Sequence, residues 1–464
     1  MNSFPHNPIS TAIAHAVAGE PNFRRTALAM EGAISPEFSD DALALIFARR
    51  VQANLCWTPA LDWLVFDGVV WQEDENLTRM THAREVARQE SKRAKDNEKN
   101  RIASARAVAA ILSLAKSDPR LVVDSDQWDS DPMVLNTPAS VVDLATGECR
   151  DRRGAEYFTQ VTRVSPQDHA CPIWEQFLRV VFVGDLELIE FVQRVLGYFL
   201  TGDRSAQYLF FLHGSGRNGK SVLTDLLLWI MNTYAMNWPA SSLMQSKVDR
   251  HPTDQASLRG KRLALSSELD EHETFNAPLV KRLTGDSTLT ARFMRGDYFQ
   301  FKQTQKHCIV GNFKPRVRGG DRAMSERVLL IPFSANIPRH EIDPQMLDKL
   351  KAEAGGILRW IIDGAVAWRA GGLRIPPRVR EASAEYMAEH DDLALWLDEC
   401  CVRSGAASAG DLYGSFGEWK RKRGEEVPTM TAWGTRLAAV SGIDKYKSGV
   451  TRYKGVALRG GAPR

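Results

Sequence analysis

The sequence predicts an α/β protein whose centre is a sheet covered by helices on both faces. Between about residues 205 and 335, short apolar stretches alternate with segments of helical periodicity, the pattern of such a sheet. One of these stretches runs directly into a glycine-rich loop, and the regions on either side of the centre read as mainly helical. The fold class follows from the alternation, the loop and the helical flanks together.

The length of 464 residues is enough for several domains of roughly 100–200 residues each. Pro376 and Pro377 mark a boundary, because the residue before a proline disfavours the helical conformation. We expect four parts: an N-terminal extension over 1–40, a mainly helical domain over 41–200, the α/β core over 201–375 and a basic helical domain over 376–464.

Composition is that of a globular protein, with 44% hydrophobic and 25% charged residues. The net charge of +3 says little about partners, but basic residues outnumber acids after Asp411. The six cysteines contain no CxxC pair, so neither a zinc ribbon nor a dithiol motif is indicated. The sequence shows no signal peptide and no run near the roughly 18 apolar residues of a membrane helix. We therefore expect a cytoplasmic protein that makes no membrane contact.

The expected strands of the central sheet are four apolar stretches, at residues 208–212, 262–266, 307–310 and 328–331. Residues 81–115 read as helical, and residues 172–202 read as two helical pieces that break near Gly184. Residues 140–153 read as two strands joined by a tight turn at Gly147.

The glycine-rich loop follows the first strand and precedes an apolar helix, and it has the pattern GxxxxGK[ST]. Its glycines let successive backbone N–H groups point at phosphate oxygens, and the following helix adds its positive end. The lysine can reach the β- and γ-phosphates, and the serine hydroxyl can ligate Mg²⁺. The sequence thus predicts a nucleoside triphosphate site formed by Gly214, Ser215, Gly216, Arg217, Asn218, Gly219, Lys220, Ser221 and Val222.

Polar residues follow two other strands at the edge where phosphates would lie. Glu268 and Asp270 come directly after the strand at 262–266, and a carboxylate there can hold Mg²⁺ or the attacking water. Glu268 is the first candidate and Asp270 the second, and the division of roles between them is open. Asn312 follows the strand at 307–310 and can contact the γ-phosphate or orient water.

Arginines and a hairpin complete the pattern. Arg322 and Arg327 precede the last strand, where an arginine can complete the ATP site of a neighbouring subunit.

Residues 289–302 read as a hairpin that mixes cations with aromatic side chains, and this mixture suits single-stranded nucleic acid. Arg295 and Lys302 are its candidate DNA contacts. The alternative is a purely structural hairpin with buried aromatics.

This ordered set of motifs resembles superfamily 3 helicases, most closely the phage/plasmid primase family whose C-terminal half is related to poxvirus primase-helicases. The resemblance covers about residues 55–335 and is strongest over 205–335. It implies an AAA+-like P-loop NTPase core, with a helical domain before it. It also implies a winged-helix-like domain after the core.

The resemblance implies a function and a role for each matching position. It implies ATP hydrolysis with Mg²⁺, a hexameric ring around single-stranded or forked DNA, and replication of a phage, prophage or plasmid with a separate primase as a possible partner. Lys220 and Ser221 match the nucleotide and Mg²⁺ positions, Glu268 the second-motif acid, Asn312 the polar sensor, Arg327 the arginine finger and Arg295 the hairpin tip.

The sequence departs from the family pattern at two places. A single glycine, Gly285, precedes Asp286 where the family often has two, and Glu326 stands where one of two paired arginines is often found. Arg327 is therefore the finger candidate, and the role of Arg322 stays open. We expect no primase catalysis, since the N-terminal acids cluster in one expected loop at 124–131.

Two other functions stay open at this point. One is a replication initiator or helicase loader that uses ATP without sustained unwinding. The other is a P-loop ATPase that acts on protein or small molecules, against which the hairpin and the basic C-terminal region argue.

Overall fold

The protein is described here from a computed structural model. It describes residues 35–153, 156–246, 253–267, 273–293, 297–317, 321–389 and 391–460, apart from the side chain of Arg322. No helix within these ranges is both long enough and apolar enough to cross a membrane.

The N-terminal part combines helices with small antiparallel sheets. The helices pack around a core that includes Phe47 and Ile111, and serine side chains cap two of them, Ser39 at α1 and Ser104 at α4. Ser104 is one reason why the helical region expected at 81–115 is divided into three helices. The helices are α1 Asp40–Val51, α2 Thr78–Arg93, α3 Asp96–Ile102 and α4 Ala105–Ala115, and the strands are β1 Leu55–Thr58, β2 Asp62–Phe66, β3 Trp71–Glu73, β4 Val134–Asn136, β5 Val141–Asp143 and β6 Cys149–Arg150.

Strands β5 and β6 form the antiparallel pair predicted around Gly147. The two helical pieces predicted before the core are also present. The first ends and the second begins beside Gly184. They are α5 Pro172–Val181 and α6 Leu186–Leu200.

The centre of the chain is a five-stranded parallel sheet in the order β13-β7-β12-β9-β8. The four predicted strands are present. The fifth, β8, is only three residues long and was not predicted. The strands are β7 Leu209–His213, β8 Ala235–Asn237, β9 Leu263–Ser266, β12 Lys306–Gly311 and β13 Val328–Pro332, and a separate hairpin is formed by β10 Thr288–Ala291 and β11 Phe299–Lys302.

Helices cover both faces of the sheet. Phe210 and Leu212 of β7 pack into one buried cluster, and Leu209 and Phe211 pack into another on the opposite face, as the alternation of a strand requires. The helices are α7 Lys220–Met231, α8 Thr253–Ala256, α9 Ala277–Gly285, α10 Arg322–Ser325, α11 Met346–Ala352, α12 Ala354–Gly371 and α13 Pro377–Ala388, with short 3-10 helices at Asn232–Tyr234, Ala240–Leu243 and Arg339–Glu341.

Two of these packing contacts matter for the site. Helix α6 approaches α12 so closely that a Cβ at Gly197 would lie 2.0 Å from the backbone nitrogen of Ala365. Helix α13 lies on β13, where Tyr386 packs against Phe211 in the second sheet-face cluster. The residues after Pro376 therefore begin as part of the packing around the sheet.

The C-terminal part has its own buried cluster, which includes Trp396, Phe416, Trp433 and Tyr453. Its β16–β17 pair forms a hairpin whose first strand is exposed along its whole length. The elements are α14 Asp392–Cys400, β14 Cys401–Val402, β15 Ala406–Ser408, α15 Ala409–Lys422, α16 Met430–Ala438, β16 Asp444–Ser448, β17 Val450–Lys454 and β18 Ala457–Leu458.

Candidate functional site

The glycine-rich loop joins the carboxyl end of β7 to the first turn of α7. Strand β12 lies beside β7 in parallel, with Gly311 opposite His213, so Asn312 follows at the same edge of the sheet. The sheet thus brings the loop and Asn312 together, as the sequence predicted from two distant segments.

The backbone of the loop is held in an unusual conformation by its surroundings. Gly216, Arg217 and Gly219 all have positive φ, and Gly219 at φ +80° immediately precedes α7. A Cβ at Gly219 would lie 2.5 Å from Cγ2 of Val181, so this position requires glycine for space as well as for conformation.

Two hydrogen bonds fix the loop to the segment after β13. The Asn218 side-chain amide donates to the carbonyl oxygen of Phe333 at 3.1 Å, and the backbone N–H of Ile337 donates to the carbonyl oxygen of Arg217 at 2.9 Å. The loop is therefore positioned in advance of any ligand.

Lys220 is the buried cation of the site, with 5% of its surface exposed. Its ammonium donates to Gly214 O at 2.7 Å, to Asn218 Oδ1 at 3.1 Å and to Asn312 Oδ1 at 3.1 Å. All three acceptors are neutral, and burial lowers the pKa of Lys220 to about 8. A cation at a helix N-terminus, with neutral partners among the residues that the structure describes, is an electrostatic environment that favours an anion.

The remaining loop side chains leave the site open to solvent. Ser215, Arg217 and Ser221 are exposed, and Val222 is half-buried in the first turn of α7. Glu268 and Asp270 lie outside the described residues, as does Arg295; strand β9, which precedes the two acids, ends at Ser266 in the same sheet.

Arg327 lies at the end of the sheet where the parallel strands begin, whereas Lys220 lies at the end where they finish. Arg327 directly precedes β13, which runs parallel to β7, and its guanidinium donates to Ala323 O at 2.9 Å. A five-residue strand spans about 16 Å at roughly 3.3 Å per residue, so Arg327 cannot reach the loop of its own chain. Arg322 begins α10, and its side chain is outside what the structure describes.

The β10–β11 hairpin carries exposed aromatic rings beside arginines. Phe293 stacks on Phe299 with ring centroids 5.4 Å apart, and both Phe293 and Tyr298 are exposed. The guanidinium of Arg292 lies 4.9 Å from the Tyr298 ring centroid, and that of Arg259 lies 5.7 Å from the Phe299 ring centroid. Lys302 is exposed on β11 opposite Thr288.

Sequence reasoning did not identify three residues near these sites. His213 ends β7 directly before the loop, and burial together with the charges of Lys314 and Lys220 lowers its pKa. Its position before the first loop glycine was an available signal. Arg292 could have been noted inside the hairpin segment, whereas Arg259 reaches the hairpin from outside it and left no local signal.

Two family models match different parts of the chain. The model described as "D5 N terminal like" matches residues 44–183. The model described as "Family of unknown function (DUF5906)" matches residues 212–327, which include the loop, Asn312 and Arg327.

Viral proteins named as helicases are similar over about half of the chain. "Putative helicase L207/L206" of Acanthamoeba polyphaga mimivirus is 24% identical over 258 residues, which are 51% of this chain and 27% of that protein. "Putative helicase 022R" of Frog virus 3 is 25% identical over 308 residues, 58% of this chain and 31% of that protein.

These matches support a relationship to phage and viral primase-helicases at low sequence identity. The chain spans less than a third of the length of each of these two relatives. The apo structure of the NrS-1 C-terminal region covers 91% of this chain and 100% of that chain, with a TM-score of 0.51 and 12% identity. At that identity the likeness shows a shared fold.

Proposed function

We propose that this chain is an ATP-dependent DNA helicase of the superfamily 3 type, active in the replication of a phage, prophage or plasmid. The observation that carries the proposal is the buried Lys220 ammonium, whose partners among the described residues are neutral oxygens of the loop and of Asn312. A triphosphate would supply the negative charge that this arrangement lacks.

In this proposal the core is a P-loop NTPase and each side chain at the sheet edge has one task. Lys220 holds the β- and γ-phosphates, the loop N–H groups hold the phosphate oxygens, and Asn312 orients the γ-phosphate or water. The exposed Ser221 hydroxyl and Glu268 would hold Mg²⁺, with Asp270 as the alternative acid. Bound Mg²⁺ would neutralise charge that develops on the phosphate oxygens.

Ring assembly explains the position of Arg327. Arg327 and Lys220 lie at opposite ends of the parallel strands. A head-to-tail neighbour can therefore present its Arg327 to the Lys220 of the first subunit. Such heterologous contacts close into rings when the rotation allows it. A hexamer with Arg327 acting in trans is the assembly that we propose.

DNA contact is proposed for the β10–β11 hairpin. Exposed Phe293 and Tyr298 offer stacking surfaces for bases, while Arg292, Arg295 and Lys302 offer cations for phosphates. Movement of this hairpin with the nucleotide cycle would then move the single strand.

The C-terminal part is proposed as a winged-helix-like domain that contacts forked DNA. Its exposed β16 strand carries Lys445 and Lys447 beside Tyr446. Since α13 packs on the sheet, we place the boundary of this domain between α13 and α14 rather than at Pro376.

A strand-displacement assay on a forked duplex tests the proposal. ATP should drive release of the strand, and ATP with Lys220→Ala should not. Slow ATP hydrolysis without strand release, together with recruitment of a second ring, would instead indicate the initiator or loader function.

A further inference from the structure

An exposed apolar turn lies beside the phosphate loop, between α5 and α6. Val180, Val183 and Leu186 expose 42%, 64% and 65% of their surfaces there. The turn's acid, Asp185, caps α6 through Leu188 N at 3.0 Å and pairs with Arg378 at 3.1 Å, so its carboxylate is already occupied.

Val183 has a strained backbone. The N–H of Gly184 donates to Arg179 O at 2.8 Å. This hydrogen bond is typical of a helix C-terminus at which the residue before the donor has a left-handed backbone. Val183 occupies that position with φ +53°, where glycine or asparagine is usual and a β-branched residue is an outlier. Residues held in such a conformation are enriched at ligand sites, where the surrounding structure fixes them.

The turn is joined rigidly to the phosphate loop. Val181 lies where a Cβ of Gly219 would be, and the ring of Phe182 packs 5.0 Å from that of Phe333, whose carbonyl holds Asn218. Arg378 connects Asp185 to Ser334 through hydrogen bonds of 3.1 and 2.6 Å. The apolar surface therefore has a fixed position relative to bound phosphates.

We infer that Val183, with Val180 and Leu186, forms the apolar surface on which the base of the bound nucleoside triphosphate rests. The inference rests on the proposed function, since it needs a triphosphate in the loop. A nucleoside carries its base away from the phosphates, and the flat face of a base is the apolar ligand that such a surface can cover without further polar groups.

Two substitutions at Val183 test this contact without disturbing the fold. Val183→Asn is uncharged and suits the left-handed conformation, and Val183→Gly removes the side chain and the strain together. Both should keep or raise the thermal midpoint. Val450→Asn is the matched control, because Val450 is equally exposed but lies on the C-terminal hairpin.

The measurement is the affinity of each variant for ATP and for inorganic triphosphate. We expect both Val183 variants to bind ATP about tenfold more weakly, a change of about 1.4 kcal/mol, and triphosphate as the wild type does. Unchanged ATP affinity, equal loss for both ligands, or a loss of assembly alone would overturn the inference. If wild type binds neither ligand, the proposed function itself fails; if it binds both equally, only the base contact fails.

Discussion

Two buried lysines at opposite ends of the strands of one sheet differ in their access to solvent. Lys306 begins β12 and is 4% exposed, and its ammonium donates to the backbone carbonyls of Thr201 and Thr304 above the Tyr198 ring. Lys220 begins α7 with similar burial, but it lies in a loop whose Ser215, Arg217 and Ser221 are open to solvent.

Burial lowers the pKa of both lysines, so neither burial nor pKa distinguishes them. Access does. The cavity beside Lys306 holds about 10 Å³, enough for at most one water, whereas Lys220 lies in a loop whose side chains at 215, 217 and 221 are exposed to solvent. A functional site needs an uncompensated charge together with a path for its ligand.

The largest expected effect separates the two lysines directly. Lys220→Met should abolish ATP binding and leave the free energy of unfolding unchanged or higher, because it removes an uncompensated buried charge. Lys306→Met should leave ATP affinity unchanged, because Lys306 begins β12 at the end of the sheet away from the loop. ATP titration measures the affinity of both variants, and urea unfolding measures their free energy of unfolding. Loss of ATP binding in the Lys306 variant would contradict the distinction between the two lysines.

Arg327 sharpens the comparison between the two sheet edges. Arg327→Ala should lower the ATP hydrolysis rate by roughly 10³-fold with ATP affinity retained, as expected for a finger that acts from a neighbouring subunit. Mixing Arg327→Ala with Lys220→Ala should restore part of the activity, because mixed rings contain interfaces with both residues intact. Absence of any recovery in rings shown to be mixed would argue against action in trans.

The pKa of Lys220 predicts a pH dependence of ATP affinity that Lys306 should not share. From pH 8 to about 10.4, the usual lysine value, the unfolded chain holds the Lys220 proton while the folded chain releases it, so this group makes stability rise with pH. A bound triphosphate would restore the proton, so ATP affinity should fall by up to tenfold per pH unit above 8. Calorimetry in buffers of different ionisation enthalpy should show proton uptake on ATP binding above pH 8, in Lys306→Met as in wild type, and absence of uptake would contradict the lowered pKa of Lys220.

The hairpin is expected to give the smallest effect. Tyr298→Ala should weaken single-stranded DNA binding by about 1–3 kcal/mol, the range for one stacked base, and leave ATP affinity unchanged. Leu114→Ala is the control, since it removes an exposed apolar side chain from helix α4, to which no DNA contact is assigned. Equal losses for both variants in fluorescence anisotropy would contradict a specific role for the β10–β11 hairpin.

The sequence predicted the parts of this fold that depend on local pattern. Four of the five core strands, the break near Gly184 and the pair of strands around Gly147 were marked by apolar runs and by glycines. Strand β8 was too short to leave a periodic signal. The helical stretch 81–115 was expected without its two interruptions, because the serine that caps α4 is a weak signal and α3 begins after Lys95 without a side-chain cap.

The remainder depends on contacts between distant segments. The glycine-rich loop could be found locally, but its fixation by Phe333 and Ile337 could not, since these residues lie more than 100 positions away. The packing of α13 on the sheet could not be predicted either. The apolar pattern of this helix indicates that one face is buried, but it does not indicate which element covers that face. Val183 looked like an ordinary apolar residue before a glycine until its φ was known.

The steady-state ATP hydrolysis rate with and without single-stranded DNA tests the central claim most directly, for wild type, Lys220→Ala and Lys306→Met. The account predicts strong stimulation by DNA in wild type and in the Lys306 variant, and no hydrolysis in the Lys220 variant. Hydrolysis that does not respond to DNA, or that survives the loss of Lys220, would contradict a DNA-coupled motor at this edge of the sheet.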